Sequence, residues 1–188
     1  MPLIDRNEAV LVVVDVQEKL LPHIDGAASL LPAISRLIEA FTLVEAPIVV
    51  TEQYRKGLGP TDPSIVATLG RLGRLGRSFA PIEKMTFGGG AAPSFVSALE
   101  ALGRREVVLC GIEAHVCVLQ TAVQLRDLGY TVFLAVDAVS SRRPRDVEIA
   151  LRRMEQSGVR FTSVEMAGFE LLRAAGTDAF RAWSRIIR

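Results

Sequence analysis

The segment CGIEAHVC, Cys110 to Cys117, holds both cysteines of the chain and His115, one of its two histidines. Residues of these types can form a disulfide or metal site, fill a patch of core, or present a reactive thiol. Two distant residues bear on that choice. Asp15 follows the apolar run LVVV, and Lys84, one of three lysines set against 19 arginines, ends APIEK. In open parallel α/β sheets, ligands bind beyond the C-terminal ends of the strands. An acid, an amine and a thiol from three separate segments can therefore converge in one crevice. Taken singly, each has a plainer reading. An ionised carboxylate at an apolar strand end must be paired, and backbone N–H groups of a loop can do that for Asp15. Lys84 can snorkel from a strand edge.

For Cys117 the position carries the argument. EAHVCVLQ starts a helix, so Cys117 falls in or near its first turn. There the helix dipole lowers a thiol pKa and free N–H groups suit an oxyanion. The plainer reading is a small apolar residue packed under the sheet. Cys110 lies inside the strand VVLCG and is assigned to the core. A zinc site is disfavoured, because the first thiol points from a mid-strand pleat and the C-x₆-C spacing matches no common zinc knuckle. A disulfide across the strand-to-helix turn is poorly placed. His115, two residues before Cys117, points elsewhere and is a minor candidate for the base. Gln17, Glu52, Tyr54 and Phe87 are candidates for shaping a substrate pocket. Ser140, Ser141 and Arg142 are explained by an N-cap and a surface ion pair.

The elements that must position these residues read as alternating β and α segments around a parallel sheet. AVLVVVDV (Ala9 to Val16) is a continuous apolar run, as for a strand covered on both faces. PIVVTEQ, SFAPIEKM, EVVLCGI, YTVFLAVDAV and VRFTSVEM are the further strands. SLLPAISRLIEAFTLVEA is a helix with Pro32 in its first turn, and YRKGLGPTDP is a Gly/Pro-rich loop. GRLGRLGR is too short for a repeat protein and reads as a turn-rich connector. Helices are expected from Ala92 to Leu102, over VCVLQTAVQLRDLG with Gly129 just past its end, over RPRDVEIALRRMEQSG, and in the two C-terminal segments GFELLRAAG and DAFRAWSRII.

With 188 residues, 49% of them hydrophobic, and a net charge of +1, the chain suits one globular domain spanning 1–188. The near-neutral balance gives no support for nucleic acid or acidic lipid as a main partner. No apolar run approaches the roughly 20 residues needed to cross a bilayer. No basic-then-apolar leader opens the sequence, and two cysteines suit free thiols, so a cytoplasmic location is expected.

Together, VLVVVDVQ, TEQYRKGLGPT, IEKMTF, CGIEAHVCVLQTA and VDAVSSR resemble the isochorismatase-like cysteine hydrolase family, above all its isochorismatase-domain-containing branch, from about residue 9 to 166. The resemblance implies a three-layer α-β-α, Rossmann-like fold with six parallel strands in the order 3-2-1-4-5-6. It implies an Asp–Lys–Cys triad, here Asp15 as general base, Lys84 holding that carboxylate and favouring thiolate, and Cys117 as nucleophile. It also implies a cis peptide joining Ile112 to Glu113, and an oxyanion hole from the N–H groups of Glu113 and Cys117. Nicotinamidases of the family carry a D-x-H metal motif where this chain has TEQYRKGLG, so no metal or other cofactor is expected. Isochorismatases proper generally lack the thiol, which turns the reading toward acyl transfer. The expected function is hydrolysis of a small amide, carbamoyl or related carbonyl compound through a thioester-type intermediate. The alternatives are isochorismatase-type vinyl ether hydrolysis and a non-catalytic binding or scaffold protein. Relatives assemble as dimers or larger symmetric oligomers, so a homo-oligomer is expected, with a neighbour able to complete the pocket.

Overall fold

A computed structural model describes residues 3–70 and 80–188. Six strands form one parallel sheet: β1 (Ala9–Val14), β2 (Ile48–Gln53), β3 (Ile82–Lys84), β4 (Glu106–Ile112), β5 (Thr131–Ser140) and β6 (Arg160–Thr162), in the order β3-β2-β1-β4-β5-β6. Central β1 shows why a continuous apolar run is required. Leu11 and Val13 enter the core on one face, and Val10, Val12 and Val14 enter the core on the other. A period of two with both sets apolar is what a doubly covered strand needs.

The first face is covered by α1 (Ala27–Leu43), α3 (Pro63–Gly70), α7 (Val164–Leu172) and α8 (Asp178–Ile186). The second is covered by α4 (Pro93–Ala101), α5 (Leu119–Asp127) and α6 (Pro144–Gln156). In α1 the spacing Leu30, Ile34, Leu37, Ile38, Phe41 lays one apolar stripe on the sheet, and all five are buried. On α8 only Trp183 is fully buried, seated over Gly168, where a Cβ would lie 2.2 Å from the indole.

Several boundaries differ from the sequence reading. Helix α1 starts at Ala27 after Gly26 in the left-handed region (φ 64°), so Pro32 lies in its second turn and removes an interior N–H. The loop YRKGLGPTDP contains a four-residue helix, α2 (Arg55–Leu58), and supplies the first residue of α3. Strand β6 is three residues long, because Ser163 caps α7 by accepting from the Met166 N–H at 3.2 Å. The connector over 71–77 and the first two residues of SFAPIEKM lie outside the described residues.

Two backbone features bring the sheet to the site. Chain β1 ends at Val14, and Asp15 turns off it with φ 51°, a left-handed conformation that Asp enters more readily than most residues. Beside it Gly111 has φ +117°, and a Cβ there would sit 2.1 Å from the Val14 carbonyl oxygen. Only glycine lets β1 and β4 approach at that point.

Candidate active site

Asp15 and Lys84 meet at the ends of β1 and β3. Lys84 Nζ donates to Asp15 Oδ2 at 2.7 Å, and both side chains are wholly buried. Strand register builds the rest of the cluster. Thr51 lies opposite Val14, and Gln53 lies opposite Lys84. Alternation along β2 turns Thr51 and Gln53 to one face and Glu52 to the other. Thr51 Oγ1 donates to Asp15 Oδ1 at 2.7 Å, so each carboxylate oxygen has a donor. The ammonium also donates to Gln53 Oε1 at 2.9 Å, Phe87 O at 2.9 Å and Thr86 O at 3.3 Å. A buried ion pair lasts only when its remaining hydrogen-bonding capacity is met in this way.

Cys117 lies in a π-turn, Ala114–Val118, that precedes α5. It packs in the core of the second face, whereas Cys110 packs in the core of the first. The sheet therefore separates the two thiols, and both are free. The Ile112–Glu113 peptide bond ahead of the turn is cis. The Glu113 carbonyl accepts from the N–H groups of Val116 at 3.0 Å and Val118 at 3.2 Å.

The electrostatics reverse one expectation. In place of a lowered pKa, the Cys117 thiol is pushed up from an ordinary 9.0 to about 12. Burial is the largest cause, and the Asp15 charge is next. Lys84 pulls the other way without prevailing. A thiol buried in the core loses the solvation that would favour its thiolate. The resting group is a neutral thiol beside a carboxylate.

The flanking residues divide by what they touch. Gln17 is buried, and its amide donates to Gln53 O at 3.0 Å and Gly59 O at 2.6 Å while accepting from the Gln53 N–H at 2.7 Å. With its amide given to backbone, it braces the strand end and has little left for a ligand. Glu52 faces away from Asp15. It accepts from Thr61 N–H and Oγ1, both at 2.8 Å, and from Arg55 at 2.6 Å. Its carboxylate borders a separate cavity of about 620 Å³ shared with Glu18, Arg55 and Thr61. Tyr54 and Phe87 are exposed near the ends of β2 and β3.

Glu113 pairs with Arg142 at 2.9 Å, and the two border a cavity of about 330 Å³ with Leu20, His23 and Ile24. Neither serine of SSR caps α6, whose N-cap is Arg143. Ser140 Oγ donates to Asp25 O at 2.7 Å, and Ser141 Oγ lies 2.9 Å from His115 Nδ1. His115 is thus engaged by a buried hydroxyl. Among the described residues no group of three or more His, Cys, Asp or Glu side chains is placed to hold a metal. Thr51 and Gln53 were not singled out from the sequence. Their signal was weak: polar residues at a strand end, two apart, on one pleat.

A model of the isochorismatase domain matches residues 9–166. The chain belongs to the isochorismatase family. Isochorismatase domain-containing protein 2A of Mus musculus is 34% identical over 183 residues, covering 97% of this chain and 84% of its relative. The secreted isochorismatase effector Isc1 of Phytophthora sojae is 37% identical over 97% of this chain and 85% of its own length. Among solved structures, one described as MAR1 ribonuclease from Caenorhabditis elegans superposes with a TM-score of 0.88 at 35% identity, covering 99% and 92% of the two chains. The Escherichia coli YcaC product, described as an octameric hydrolase of unknown specificity, shares the fold with a TM-score of 0.88 at 22% identity, covering 99% and 91%. Family membership makes this a hydrolase-type fold, with six parallel strands in the family's order.

Proposed function

We propose that the chain is a cofactor-independent cysteine hydrolase acting on a small amide, carbamoyl or related carbonyl compound. One observation carries the reading: a nearly buried thiol lies in the field of a carboxylate that is itself paired with a wholly buried ammonium. A buried ion pair is weak support for stability alone. Acyl transfer uses all three groups.

Asp15 takes the Cys117 proton as Sγ bonds to the carbonyl carbon, and the carbonyl electrons move to oxygen. The N–H groups of Glu113 and Cys117 are the assigned donors to that oxygen. Collapse of the adduct expels the amine, which takes the proton from Asp15 and leaves a thioester on Cys117. Water then attacks the thioester while Asp15 takes its proton. Collapse returns that proton to Sγ and releases the acid. Lys84 keeps Asp15 in place and balances its charge throughout. A neutral resting thiol suits this cycle, since the proton moves only when the carbonyl is there to be attacked.

The test is ammonia release from a panel of small amides and carbamoyl compounds, with mass spectrometry for the acyl-enzyme. Cys117→Ala is expected to lower turnover by at least about 10³-fold. Isochorismate turnover that persists in Cys117→Ala would move the reading to vinyl ether hydrolysis by Asp15 and Lys84. Cleavage of RNA that persists in the same variant would move it to the chemistry named for the nematode relative. Absence of any turnover, with no acyl adduct, would leave a binding protein.

The exposed Tyr54, Met85 and Phe87 cluster around the ends of β2 and β3, which suits a subunit contact beside the site. We accordingly expect a homo-oligomer, as described for YcaC, and sedimentation of the purified chain decides it.

A further inference from the structure

Lys84 is held from two directions. Asp15 and Gln53 hold it from the sheet, and the carbonyls of Thr86 and Phe87 hold it from the loop that follows β3. That loop continues as Gly88–Gly89–Gly90, and it is pressed against α5. A Cβ at Gly88 would lie 2.2 Å from Gln124 Oε1, and one at Gly90 would lie 2.5 Å from Gln124 Cβ. Behind the loop, a Cβ at Gly89 would lie 2.9 Å from the Phe95 ring. Three glycines in a row are thus a fit to α5 and α4 rather than slack.

The contact has one specific hydrogen bond. The Gly89 N–H donates to Thr121 Oγ1 at 2.9 Å, and Thr121 is 1% exposed. Thr86 Oγ1 donates to Gly88 O at 3.0 Å and closes the turn between the Lys84 acceptors and this clamp. Thr121 sits four residues after Cys117, one helical turn farther along. The helix that follows the thiol and the loop gripping the ammonium are therefore tied by a hydrogen bond to one buried side chain.

We infer that Thr121 is a positioning residue that sets where the Lys84 ammonium stands relative to the Cys117 sulfur. Thr121 touches neither sulfur nor ammonium. It fixes the loop whose two carbonyls share the Lys84 protons, and so fixes how far the positive charge offsets Asp15 at the thiol. The inference rests on the Asp15–Lys84–Cys117 reading, and the experiment separates the two.

The readout is the second-order rate of Cys117 alkylation by iodoacetamide across pH 7 to 10, in a Cys110→Ala background with Lys84 intact or replaced. Thr121→Val keeps shape and removes the acceptor. It is expected to slow alkylation about three- to tenfold, equivalent to an upward shift of half to one pKa unit. Thr121→Ser, which restores the hydroxyl, is expected to recover the parental rate within about twofold. In Lys84→Ala, Thr121→Val is expected to add nothing, the non-additivity of groups acting through one another. Gly90→Ala, which pushes the same loop from Gln124, is the second variant and is expected to slow alkylation likewise.

Parental rates in both Thr121→Val and Gly90→Ala would overturn the inference while leaving the triad standing. Equal slowing by Thr121→Val with and without Lys84 would overturn it too, since the effect would then bypass the ammonium. If Lys84→Ala itself leaves the rate unchanged, the triad reading fails and the inference falls with it.

Discussion

At rest the Cys117 proton is held on sulfur, first by burial and next by the Asp15 charge. With the thiol pushed up to about 12 from an ordinary 9.0, far less of it is thiolate at neutral pH than in a free cysteine. This makes the two charged partners act with opposite signs. Asp15→Asn removes the charge that holds the proton on sulfur, so iodoacetamide labelling at pH 8 is expected to rise at least about tenfold. Turnover of any amide substrate is expected to fall by about 10²-fold or more in the same variant, because the general base is gone. Lys84→Ala removes the one favourable charge, so labelling is expected to slow. A thiol that labels identically in all three proteins is not coupled to the pair, and the acyl-transfer reading fails with it. Gln17 and Glu52 argue from the same scale. Their hydrogen-bonding capacity is consumed by backbone, Thr61 and Arg55, which makes them braces of the strand ends.

The elements bring these residues together through the close approach of β1 and β4. Gly111 is the point at which that approach is decided. Any Cβ there meets backbone, the Val14 carbonyl at 2.1 Å, and backbone cannot rotate aside. Gly111→Ala is expected to destabilise the fold by about 2 kcal/mol or more, measured by urea unfolding, with part of the cost from a positive φ. Because Asp15 follows Val14 directly, the surviving folded protein is expected to show altered Cys117 labelling as well. A Gly111→Ala protein with parental stability and labelling would mean that β1 and β4 tolerate a wider separation. Beyond Leu109 the β4–β5 register shifts, pairing Gly111 with Val139, and the displaced stretch of β5 offers Asp137 to the N-terminus of α7. The period-two pattern of YTVFLAVDAV carries no sign of that break, since a register shift is a relation between two strands.

At the scale of the molecule, the sheet divides two cores, and each holds one buried thiol. Burial raises Cys110 as it raises Cys117. A thiol whose folded pKa lies above its unfolded one stabilises the fold fully below the unfolded value, and that contribution is lost as pH rises toward the folded value. Stability by chemical denaturation is therefore expected to hold to about pH 9 and to fall steadily toward pH 12. Replacing Cys110 with Ala is expected to flatten part of that slope while lowering the plateau, through the lost packing. A slope unchanged by Cys110→Ala would assign the alkaline loss to other groups.

What the sequence determined by itself was local. Continuous apolar runs set β1 and β4, α1 showed its stripe, and Asp15, Lys84 and Cys117 stood out as polar or reactive residues at strand ends. The family match likewise rests on sequence and spans residues 9–166. Tertiary structure alone decided which residues face one another and at what electrostatic cost. Lys84 reaches Asp15 across 69 residues of chain. Thr51 and Gln53 join them by inter-strand register, and Thr121 meets Gly89 by helix-to-loop packing. The direction of the Cys117 shift also belongs there. Hydrophobic periodicity reports which side of an element is buried, whereas register and desolvation depend on neighbours supplied by distant segments. For CGIEAHVC the outcome is two thiols on opposite faces of one sheet, one of them beside a buried acid.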